Sequence, residues 1–114
     1  MKRRLAAQFV AQKLKAVETQ IDQTLIAAGS LISALPDARE RANLSAVVGQ
    51  DALDLVAQAT VILSQARGKF VEAHNALAAT SRLIGVPVHA IGLGDKPILP
   101  MEEAPATSVI GQAA

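Results

Sequence analysis

His74 and His89 are the only side chains among the 114 residues whose unperturbed titration falls near neutrality, so acid–base or metal chemistry would have to start there. Carboxylate-bridged metal sites on helical bundles use Glu-x-x-His, which sets both ligands on one helical face. Glu72-Ala73-His74 lacks that spacing, and the expectation for His74 is a surface or interface histidine. Glu18 with Asp22, and Asp51 with Asp54, place carboxylates at helical separations, but a metal or a general acid needs further converging groups. Solvated helix faces are expected of these pairs, with Asp51 placed to cap a helix. Ser30, Ser33, Ser45, Ser64 and Ser81 stand in helical contexts without the Gly-x-Ser-x-Gly elbow of a nucleophile. Gly92-Leu93-Gly94-Asp95-Lys96 approaches a phosphate loop, yet it lacks the Walker spacing and runs into Pro97 instead of a helix N-terminus. A glycine-hinged turn is expected there. The sequence has no cysteine, which excludes disulfides, thiol catalysis and thiolate metal sites. The expectation is a non-enzyme with no catalytic residue, no metal site and no cofactor.

The charge is nearly balanced, with eleven basic and ten acidic residues, which argues against a general polyanion binder. Phe9 and Phe70 fall on or beside apolar stripes, so they read as core and not as base-stacking platforms. The balance is uneven along the chain: Lys2, Arg3, Arg4, Lys13 and Lys15 precede the first acid, Glu18. Gln8, Gln12, Lys13 and Lys15 interrupt any apolar run that would make an export signal, and no stretch is long enough to span a membrane. A cytoplasmic protein, or one built into a phage particle, is expected.

The elements that would position these residues are helices. Val10, Leu14, Val17, Ile21, Thr24, Ala28, Leu31 and Leu35 alternate four and three residues apart, an apolar stripe that Leu25 and Ile32 broaden. Leu35-Pro36-Asp37 predicts the end of this helix, because proline disfavours helical geometry at the residue before it. Residues 38–48 are again helical in character. At Gly49-Gln50-Asp51 two readings stand open: a break that makes 38–48 a short connecting helix, or one helix running through the glycine.

Beyond that point Ala52, Ala59, Ala66, Ala73 and Thr80 recur every seven residues, each followed four residues later by Val56, Leu63, Phe70, Leu77 or Ile84. This seam sets a bulky ridge beside a groove floored with small side chains, a design for helix-on-helix packing. Gly85 and Pro87 end the helix. The reading is all-α: a long antiparallel helical hairpin over 1–85, coiled-coil-like on oligomerisation, followed by an extended C-terminal arm over 86–114. Within the arm, Val86, Val88, Ile91 and Leu93 predict a short strand, and Pro97-Ile98-Leu99-Pro100 favours polyproline II.

Leu35-Pro36-Asp37-Ala38-Arg39-Glu40-Arg41, at a corner between long helices, is similar to the corner of small phage-encoded helical-hairpin proteins that sequester cyclic-nucleotide immune signals. The resemblance covers seven residues, and the chain lacks the aromatic residue that family tends to carry on its second helix. It implies a sponge in which Arg39, Arg41 and the basic N-terminus face a phosphate-bearing ligand between subunits. The leading expectation is a structural, scaffold or adaptor protein of a bacterial or phage assembly. Its partners would be itself and another protein bound through the arm. A protein lying on membrane surfaces through its basic first helix ranks third.

Overall fold

The computed structural model describes residues 1–93. Helix α1 (Lys2–Arg41) and helix α2 (Gln50–Leu83) lie against each other as an antiparallel hairpin, with a single turn of 3-10 helix at Val88–Ile91 folded onto its open end. The pair is a rod 63 Å long, close to the roughly 60 Å that 40 helical residues span. Arg3 meets Ile84, Glu18 meets His74 and Asp22 meets Arg67, so the number on α2 falls as that on α1 rises.

Helix α1 does not end at Leu35. It continues through Pro36, which lacks the N–H that would have returned to the Ile32 carbonyl and crowds that carbonyl with its ring, and then runs on to Arg41. Two features beyond the proline favour the helix continuing. Asp37 and Arg41 pair at 3.0 Å one turn apart, and Arg39 and Arg41 place positive charge at the negative end of the helix dipole. The helix closes on Asn43, which takes the left-handed conformation at φ 56°. Its N–H donates to the Glu40 carbonyl at 3.0 Å, and the Leu44 N–H donates to that of Arg39 at 3.1 Å, a Schellman ending.

The connecting helix over 38–48 is therefore absent. Its first residues belong to α1, and residues 42–49 form the turn. The break occurs at Gly49, whose φ of 83° favours glycine and makes it the N-cap of α2. Asp51 lies inside the first helical turn and is no cap; its charge there complements the positive end of the dipole.

At the far end α2 closes as the sequence predicts. Gly85 has a φ of 83°, and the N–H groups of Gly85 and Val86 donate to the carbonyls of Arg82 and Ser81 at 3.0 and 2.8 Å. The buried Ser81 hydroxyl donates back to the Val86 carbonyl at 2.6 Å, so the exit of the helix is held by a reciprocal pair of bonds. Val88–Ile91 then coils as a 3-10 turn where a strand was expected, because Gly92 repeats the left-handed ending after it.

The core sits at this open end. Ala11 and Leu14 of α1, Ala78 of α2, and Val86, Val88, Ile91 and Leu93 of the segment after α2 are its buried apolar side chains. The described part of the expected arm, 86–93, thus supplies more than half of them. Gln8 clamps the segment by donating to the Ala90 carbonyl at 3.1 Å. The polyproline expectation over 97–100 and the end of the glycine loop, 94–96, lie outside the described residues.

Candidate interaction surface

Within the hairpin each helix turns one heptad stripe to the other. On α1 it runs through Ala11, Leu14, Glu18, Ile21, Leu25, Ala28, Ile32 and Leu35, all buried or half-buried. Leu14, Ile21, Ala28 and Leu35 stand as the spacing predicts, but the helix is rotated so that Leu25 and Ile32 face inward, while Val10, Thr24 and Leu31 are exposed. On α2 the bulky ridge Val56, Leu63, Phe70, Leu77 and Ile84 is half-buried against α1.

The small line behaves differently. Ala66 and Ala73 are half-buried, but Ala52, Ala59 and Thr80 are exposed, and the positions on the other side of the ridge turn toward α1 instead: Leu53, Thr60, His74 and Ser81. Two polar pairs bridge the helices in that rotation. His74 Nδ1 lies 3.0 Å from a carboxylate oxygen of Glu18, both side chains about 30% exposed, and Arg67 Nε donates to Asp22 at 2.6 Å. The Asp22 hydrogen bond and charge raise the Arg67 pKa above its ordinary value. Asp22 remains on a solvated face, as its spacing suggested, while Glu18 is half-buried; both reach a partner on α2. The opposite charges of Asp22 and Arg67, and the hydrogen-bonding capacity of Glu18 and His74, were the signal for this in the sequence.

Phe70 packs as expected, whereas Phe9 is 59% exposed with the Lys13 ammonium 5.3 Å from its ring centroid. Arg39 is half-buried at the turn and Arg41 is engaged by Asp37. Both lie at the opposite end of the rod from Lys2, Arg3 and Arg4, so one chain does not bring them together. Among the described residues no three His, Cys, Asp or Glu side chains are placed to hold a metal ion. No helix among them is long and apolar enough to cross a membrane.

What the rotation leaves outside is one continuous flank. Val10, Thr24 and Leu31 of α1 stand exposed on the side of the Ala52–Thr80 line of α2, with Val17, Ala66 and Ala73 half-buried between them, and the outer margin of that line carries Leu55, Ile62, Lys69, Ala76 and Leu83. At the open end this flank deepens into an apolar groove of about 300 Å³ between Ala6 and Val10 on one side and Leu77, Thr80 and Ile84 on the other, floored by Ile91 and Leu93 with Arg3 at its rim. Comparison of the chain with protein-family models, with curated proteins and with solved structures gave no match.

Proposed function

We propose that the protein is a non-enzymatic structural subunit, a helical scaffold or adaptor of a bacterial or phage assembly, which works by associating with itself and by presenting its C-terminal segment to another protein. The observation that supports this reading is the imbalance between core and surface. Among the described residues seven apolar side chains are buried, while large ones such as Leu31, Leu55, Ile62 and Leu83 stand 47–85% exposed. A chain that leaves this much apolar area in water gains by covering it with another protein surface.

Light scattering coupled to size exclusion on the full chain tests the reading, with an oligomer expected at a multiple of 11.8 kDa. A particle of 11.8 kDa would remove self-association and leave only an adaptor role toward a different protein. The alternative of a nucleotide-sequestering sponge requires Arg39 and Arg41 of one copy to meet Lys2, Arg3 and Arg4 of another. It predicts a rise in melting temperature with a cyclic dinucleotide.

A further inference from the structure

The exposed flank has the dimensions of a self-complementary interface, and the rod that carries it has oppositely charged ends. Leu55, Ile62 and Leu83 stand out of the alanine line of α2 at 64%, 63% and 85% exposure, and Val10 and Leu31 do so from α1 at 44% and 47%. Their heptad spacing keeps them on one side of the rod, so a helix pair with the same period can follow them without drifting off. The 34 residues of α2 cover about 50 Å at 1.5 Å each, and two helices packed side by side present a face roughly 18 Å wide. That face measures on the order of 900 Å², against the roughly 800 Å² per partner of a standard stable interface.

Charge fixes the orientation. Residues 1–17 and 73–93, which make the open end, carry Lys2, Arg3, Arg4, Lys13, Lys15 and Arg82 and no acid, whereas residues 37–54 around the turn carry four acids against Arg39 and Arg41. A rod with a cationic end and a net acidic end complements a copy of itself turned end for end. Aligned the other way, the two cationic ends would abut.

We propose that this flank is the interface between two copies of the chain, packed face to face and antiparallel into a four-helix bundle. The inference rests on the reading of the chain as self-associating and adds which face is used and in which orientation. Each copy offers the same patch, as a two-fold interface requires. The other flank, where Asp22 and Arg67 pair and Ile26, Val61 and Val71 stand exposed, lies outside this interface.

The full chain is expected to scatter as a particle of twice 11.8 kDa. Leu55→Glu combined with Ile62→Glu, which brings four carboxylates into the interface, should halve that mass while the helical circular dichroism is retained. Val61→Glu, at a side chain 56% exposed on the opposite flank, should leave the dimer intact. The chain has no cysteine, so Ser45→Cys at the turn accepts one spin label per copy. The antiparallel arrangement places the two labels about 50 Å apart, the length of the shared helices. Labels within about 25 Å would overturn the orientation, since the turns would then lie at one end. A dimer that survives the Leu55 and Ile62 changes and dissociates with Val61→Glu overturns this face while self-association stands. A wild-type particle of 11.8 kDa overturns both.

Discussion

Ser81 is the one buried polar side chain among the described residues, and its hydroxyl closes the turn that brings Val86 under the helices. Ser81→Ala removes the donor and leaves the Val86 carbonyl short of a partner, so a loss of about 1–3 kcal/mol is expected in urea unfolding. Thr80→Ala is the contrast, since that exposed hydroxyl only bonds back to Ala76 within its own helix, and a change of less than about 0.5 kcal/mol is expected. Leu14→Ala should cost about 2–5 kcal/mol, because Leu14 is buried between the helices and the open-end segment. Phe9→Ala removes a larger side chain and should cost less, because Phe9 sits outside with Lys13 over its ring. Equal losses at the two positions would put Phe9 back in a core. Residue type alone misleads here: an aromatic ring beside an apolar stripe reads as core, yet which face of the stripe is covered is decided by residues on the other helix.

The ends of the helices were legible to different degrees, for a physical reason. Gly85 announces its ending because glycine is the residue that enters the left-handed region without steric cost, and Pro87 follows it. Asn43 makes the same ending and was harder to see, since asparagine enters the left-handed region less readily than glycine and also serves in N-caps and turns, while Pro36 offers a louder stop that the helix ignores. Backbone sign therefore separates the glycines. Gly85→Ala should lower stability by about 1–2 kcal/mol, since a Cβ is strained at a φ of 83° even with open space around it. Gly68→Ala should raise stability by about 0.5–1 kcal/mol, because Gly68 is an ordinary helical residue whose added Cβ meets nothing within 4 Å. Chemical denaturation of the two variants checks both signs. A loss at Gly68 would mean that something packs on that side of α2.

At the scale of the whole molecule, the hairpin, its antiparallel sense and the ridge from Val56 to Ile84 followed from periodicity, but the rotation of the helices and the boundary of the folded part did not. Each ridge is flanked by two usable lines, and periodicity cannot choose between them. Glu18, Asp22, Arg67 and His74 pair in the rotation the helices adopt, and that pairing is a property of two segments brought together. The boundary was hidden for a related reason. Proline and glycine after residue 84 read as an arm, while the burial of Val86, Val88, Ile91 and Leu93 depends on the surface that α1 and α2 create together. Truncation measures where the folded part ends. A chain stopped after Leu93 keeps the seven apolar side chains that are buried among the described residues and is the reference. A chain stopped at Gly85 loses four of them, each worth about 1.5–3 kcal/mol when fully buried. Against a typical total of about 5–15 kcal/mol that loss should lower Tm by at least about 10 °C, read by circular dichroism at 222 nm. If the two truncated chains melt together, the segment from 86 to 93 covers the open end without stabilising it, and the stability of the hairpin must come from the stripes between α1 and α2.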